Sequence, residues 1–187
     1  MKIIGIDYSL TSPALTLYNG NDTWNSNYTH FCLARNERQR QKWAEIRGIT
    51  FDIYPEWVTD LQRYHGLADW VINCCITAMS PERPKAYIED YAYAATGRVF
   101  HIAENMAILK DTLTKWGIKY DMIAPTVIKK YATGKGNANK EKMYDAFTDE
   151  TNRSLLDEFN IKLNNPITDI VDSYYIAKYG YTHGNNT

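Results

Sequence analysis

The sequence predicts an α/β fold, a mixed five-stranded sheet flanked by helices, on three observations. An apolar run from Lys2 to Asp7 opens the chain and closes on a carboxylate before Ser9, Thr11, Ser12 and Pro13, the pattern of a buried central strand. Two more strand signals follow by Leu33, joined by a turn. Beyond them, helical periodicity alternates with strand patterns, which places helices on the faces of a sheet.

In chain order, Ala14 to Tyr18 alternates around Leu15 and Leu17, and Asn19-Gly20-Asn21-Asp22 turns the chain into a strand near Tyr28 to Leu33. Arg35, Arg38, Arg40, Lys42 and Arg47 then outnumber Glu37 and Glu45 around Trp43. That run reads as a solvated helix face, and the competing reading is a nucleic-acid-contacting segment. Val58, Leu61, Tyr64, Ala68, Val71, Ile72, Cys75, Ile76 and Met79 recur every three or four residues, predicting an amphipathic helix from Glu56 to Met79. Lys85 to Tyr91 returns to strand spacing, with Tyr87, Glu89 and Tyr91 on one face. Val99 to Trp116 is helical and Gly117 caps it; Ile118 to Ala124 is a strand. From Pro125 come a short helix, the loop from Thr133 to Ala138, a helix from Asn139 to about Thr148, and a last helix capped by Thr168 that ends at Gly180.

At 187 residues with 44% hydrophobic content, the chain is expected to form one domain over 1–187, with a flexible tail at 182–187. A net charge of -1 excludes a uniformly basic coat, so any nucleic-acid surface is a local patch. The cysteines, Cys32, Cys74 and Cys75, read as buried thiols of a reducing compartment. No uncharged apolar run approaches the roughly 18 residues that a membrane span needs. A soluble protein of the cytoplasm, bacterial or of a virus-infected host, is the expectation.

Four acidic residues draw attention. Asp7 and Glu89 stand on predicted strands, and Asp169 and Asp172, three apart, share one face of the last helix. Each has a bland reading: a turn cap for Asp7, a cross-strand salt bridge for Glu89, and dipole complementation for the pair. Together they form an oxygen-only donor set suited to Mg²⁺ or Mn²⁺ rather than zinc, and two such ions can drive phosphodiester cleavage. Lys129 and Lys130 precede the glycine loop, Lys135 and Asn137 lie within it, and Lys140 and Lys142 follow. Glycines there let backbone N–H groups approach a phosphate. Tyr91 and Tyr93, with Arg98 close behind, could stack on or wedge between bases.

With these residues assembled, the chain resembles the RuvC-type Holliday junction resolvases of the ribonuclease H-like superfamily. Gly5-Ile6-Asp7, Tyr87-Ile88-Glu89-Asp90, the segment Lys129 to Lys140 with Gly134, Gly136 and Ala138, and Asp169-x-x-Asp172-Ser-Tyr-Tyr-Ile-Ala resemble that family's motifs in their order. The resemblance implies a ribonuclease H-like fold and a Mg²⁺-dependent endonuclease for branched DNA: four-way junctions, with Y-shaped and flap forms as further substrates. It implies metal ligation by Asp7, Glu89, Asp169 and Asp172, catalytic support or phosphate contact by Lys140 and Lys129, and a homodimer through the helix near 96–116. Tyr8 and Ser9 depart from the family's Pro-Gly; 35–56 reads as an insertion and the net charge of -1 is low for a junction binder, and these last two fit a divergent viral or phage member. The alternatives are a non-catalytic branched-DNA-binding module and a phosphotransferase of the actin and sugar-kinase superfold.

Overall fold

The computed structural model describes residues 1–20, 24, 28–76, 82–90 and 99–184. The described residues form strands β1 (Ile3–Asp7), β2 (Ala14–Tyr18), β3 (Tyr28–Ala34), β4 (Ile49–Ile53), β5 (Lys85–Glu89) and β6 (Tyr120–Ile123). The helices are α1 (Glu37–Trp43), α2 (Asp60–Ile76), α3 (Val99–Lys115), α4 (Pro125–Thr133), α5 (Lys140–Thr151), α6 (Leu155–Phe159) and α7 (Ile167–His183). The strands pair in the order β4-β3-β2-β1-β5-β6. β1, β2 and β3 form an antiparallel meander, while β5 lies parallel to β1, β6 parallel to β5, and β4 parallel to β3.

The sheet therefore has six strands rather than the expected five. The additional strand, β4, falls inside the stretch expected as an insertion, where Ile49 and Phe51 turn inward and Thr50 and Asp52 outward. Its parallel pairing with β3 needs a crossover, and the charged run supplies it as α1. Asn36 caps that helix by accepting from the Gln39 N–H, and Arg40 pairs with Glu37 at 2.7 Å. Trp43 is buried against Phe51 and Phe159, so this aromatic belongs to the core rather than to a nucleic-acid surface.

Alternation along β1 sends Ile4, Ile6 and Tyr8 into a core beneath α2 and α3, and Ile3 into a second core beneath α4, α5 and α7. Helix α2 starts at Asp60 rather than at the expected Glu56, with Val58 and Leu61 exposed and Leu67, Val71 and Cys75 buried, and Met79 lies outside the described residues. Helix α7 lies directly across β1. A Cβ added to Gly5 would stand 2.3 Å from the backbone nitrogen of Ala177, and Gly180 meets the ring of Tyr87 as closely. A buried polar chain ties α7 to the meander: Thr16 Oγ1 lies 2.9 Å from Ser173 Oγ and 2.8 Å from His30 Nδ1. Pro166 rather than Thr168 occupies the N-cap of α7, and the helix continues past Gly180 to His183.

Candidate metal and nucleic-acid site

Asp7 ends β1 and Glu89 ends β5. Because Ile6 pairs with Ile88 in a parallel register, the two carboxylates leave adjacent strands at the same level. They share the face of Gly5 and Tyr87, over which α7 passes. Asp169 lies in the first turn of α7 and Asp172 one turn further on. Two strand ends and one helix thus bring together four carboxylates separated by more than 160 positions in the chain, the distance from Asp7 to Asp172.

Their fields act on one another. Burial first, then the negative fields of Asp169, Asp172 and Glu89, push the Asp7 carboxyl well above the usual carboxylate range, against the pull of Lys140. Glu89 is pushed up to about 7 by burial and Asp172, with Lys129 opposing. Asp169 is raised by burial and by Asp172, and is eased by hydrogen bonding to Ser12 and by Lys140. Burial raises Asp172, with Lys140 and Lys129 acting the other way. Oδ2 of Asp169 is buried without a hydrogen-bond partner among the described residues. Lys140 Nζ donates to Thr168 Oγ1 at 3.3 Å, and that hydroxyl donates to Asn165 Oδ1 at 2.9 Å.

An excess of buried negative charge with an orphaned carboxylate oxygen is the environment a hard divalent cation fits. Among the described residues, no three acidic, histidine or cysteine side chains form a ready-made metal cage; the four carboxylates are neighbours by charge without being gathered on one point. The cysteines take no part, since all three are buried free thiols.

The lysines divide. Lys129 and Lys140 act on the carboxylates, whereas Lys135 and Lys142 line a separate hollow of about 620 Å³ with Asp145, Asp149 and Glu150. Lys130 and Asn137 are exposed on α4 and its following loop. Tyr91, Tyr93 and Arg98 lie outside the described residues.

Sequence reasoning missed the groups that shape the turn after Asp7. The Leu10 carbonyl accepts from the Tyr54 hydroxyl and, at 2.6 Å, from Arg63 Nη2. Arg63 Nε donates to the same hydroxyl at 2.9 Å, and its guanidinium stacks 4.6 Å from the Trp57 ring centre. The turn is pinned further by Ser9, whose Oγ accepts from the Ser12 N–H at 3.0 Å. Asp7, Tyr8, Leu10, Glu89, Asn105 and Met106 are among the residues lining a cleft of about 370 Å³.

Among solved structures, the chain resembles Thermus thermophilus RuvC, with a TM-score of 0.60 at 12% identity over 98% of this chain and 95% of that one. The chain shares the RuvC fold. T. thermophilus RuvC in complex with a Holliday junction substrate matches equally, with a TM-score of 0.60 at 13% identity over 98% and 94% of the two chains. No protein-family model and no curated protein sequence matches. Among the described residues, no helix is long and apolar enough to cross a membrane.

Proposed function

We propose that the chain is a divalent-metal-dependent endonuclease that cuts phosphodiester bonds in branched DNA, four-way junctions foremost. The observation that carries this reading is the pooling of Asp7, Glu89, Asp169 and Asp172 on one face of the sheet, with Lys129 and Lys140 as the cations that act on them. These carboxylates would hold Mg²⁺ or Mn²⁺. When bound, the ions supply an activated water and stabilise the leaving oxygen. The carboxylates orient the ions, and β1 and β5, hydrogen-bonded along their length, keep Asp7 and Glu89 fixed relative to each other. Lys140 and Lys129 offset the negative field and meet the phosphate as it approaches. Lys130 and Asn137 extend that contact along the loop after α4. A second copy would bind through the start of α3, where Phe100 is 80% exposed beside exposed Val99 and Ile102. RuvC solved with a Holliday junction substrate on the same fold supports this substrate class.

The deciding assay is cleavage of synthetic four-way, Y-shaped and flap DNA with Mg²⁺ or Mn²⁺. Wild type is expected to nick the four-way junction, and Asp7→Asn to lose more than about a hundredfold in rate, beyond the cost of disturbing a residue that only orients a metal ligand. Tight junction binding without cleavage in any metal would show a non-catalytic binding module instead.

A further inference from the structure

The basic run at 35–47 takes no part in the proposed chemistry, yet the fold brings it to the same end of the sheet. Both β1 and β3 pair antiparallel with β2, so they run in one direction: Asp7 faces Ala14, Ala14 faces Cys32, and Arg35 follows three residues on. Helix α1 also lies on the face that α7 crosses, since its Trp43 joins the core beneath α4, α5 and α7. Just before and along α1, Arg35, Arg38 and Lys42 recur at intervals of three and four residues, and all three are exposed. Glu37 is already engaged, because both its oxygens accept from Arg40 and one of them also from Gln41. The side chains of Arg35, Arg38 and Lys42 make no ion pair among the described residues. In a chain of net charge -1, a row of unpaired cations is a local field of the sign that a phosphate backbone requires.

We propose that Arg35, Arg38 and Lys42 form a separate DNA contact, which holds the phosphates of one duplex arm as it leaves the carboxylates. The inference rests on the branched-DNA reading and adds to it the path of that arm. Strand geometry puts the root of the row about 10 Å across the sheet from Asp7 and about 10 Å beyond it along the strand. At about 3.4 Å of axis per nucleotide, the row meets phosphates roughly three to six nucleotides from the scissile one. Contacts to phosphate orient DNA without reading its sequence, so the row contributes affinity and direction rather than base preference. The segment at 35–56 thereby acquires a purpose: β4 and the buried Trp43 fix a cationic helix to the sheet.

The test is metal-free binding of a four-way junction across a salt series. A variant combining Arg35→Ala, Arg38→Ala and Lys42→Ala should flatten the slope of log affinity against log salt by about three. Arg40→Ala, whose charge Glu37 already engages, should flatten it by less than about one. Arg35→Lys with Arg38→Lys keeps the charge and should keep the slope, which separates a lost contact from a damaged fold. Neutral methylphosphonate linkages, placed one at a time on either side of the cut, then locate the contact. They should weaken wild-type binding roughly three to six nucleotides away on one side and leave the triple variant unaffected there. An unchanged slope in the triple variant, equal flattening by Arg40→Ala, or the same methylphosphonate penalty in both proteins overturns the proposal. Cleavage assays decide the nuclease reading separately. Wild type that cuts junctions while the triple variant keeps its slope defeats this contact alone; wild type that binds through the row but cuts in no metal supports the contact and defeats the nuclease alone.

Discussion

Burial of one imidazole among aromatic rings has a measurable cost. His30 lies between Tyr28, Phe147 and Tyr174, with its Nδ1 held by Thr16. Burial, aided by the positive field of Arg153, pushes its pKa down from 6.5 to about 3. The fold therefore favours the neutral ring. The resulting stability is fully present above the unfolded value of 6.5 and is lost as pH falls towards 3. Between pH 6.5 and about 4, wild type should lose about 3 kcal/mol that His30→Gln does not. Urea unfolding of both proteins across that range checks this, and parallel curves would show that the ring is already protonated or solvated.

At the scale of elements, the turn between β1 and β2 shows how distant segments shape a site. Tyr54, just after β4, and Arg63 on α2 both hold the Leu10 carbonyl. Arg63→Ala leaves that carbonyl with one donor fewer and the Trp57 ring without its cation. A loss of about 1–3 kcal/mol is expected, together with faster amide exchange at Leu10 to Ser12. Unaltered exchange there would mean the clamp does not hold the turn.

The same scale explains what the sequence revealed. Asp7 and Glu89 were legible because a carboxylate at the end of an apolar strand stands out, and Asp169 and Asp172 because three-residue spacing puts them on one helix face. Arg63 was not, since its partner Leu10 lies 53 positions away. Nor was β4, whose short alternation follows a charged helix and pairs only with β3. The loop lysines read as one basic group, yet the turn of α5 sends Lys140 towards the carboxylates and Lys142 to another hollow.

That division makes a prediction about the whole molecule. Each lysine that meets a phosphate contributes about one to the slope of log affinity against log salt. Lys129→Ala with Lys140→Ala should flatten the slope of junction binding by about two, and Lys135→Ala with Lys142→Ala by less. Equal effects would put the DNA path across both hollows. A second whole-molecule prediction concerns the seat of α7. A methyl at Gly5 collides with backbone, which no side-chain rotation relieves. Gly5→Ala should cost several kcal/mol, about the range of severe overpacking, and should lower cleavage with it because α7 carries two of the four carboxylates. A melting temperature equal to that of wild type would mean that helix and strand separate easily.

The crossing of α7 over Gly5 also sets a timetable for biosynthesis. Synthesis delivers Asp7 and Glu89 first, and Asp169 and Asp172 only once residues 167–183 have left the ribosome. Until then, the nascent sheet displays two carboxylates and an uncovered glycine. Any chemistry that needs all four must wait until that helix settles onto the strand.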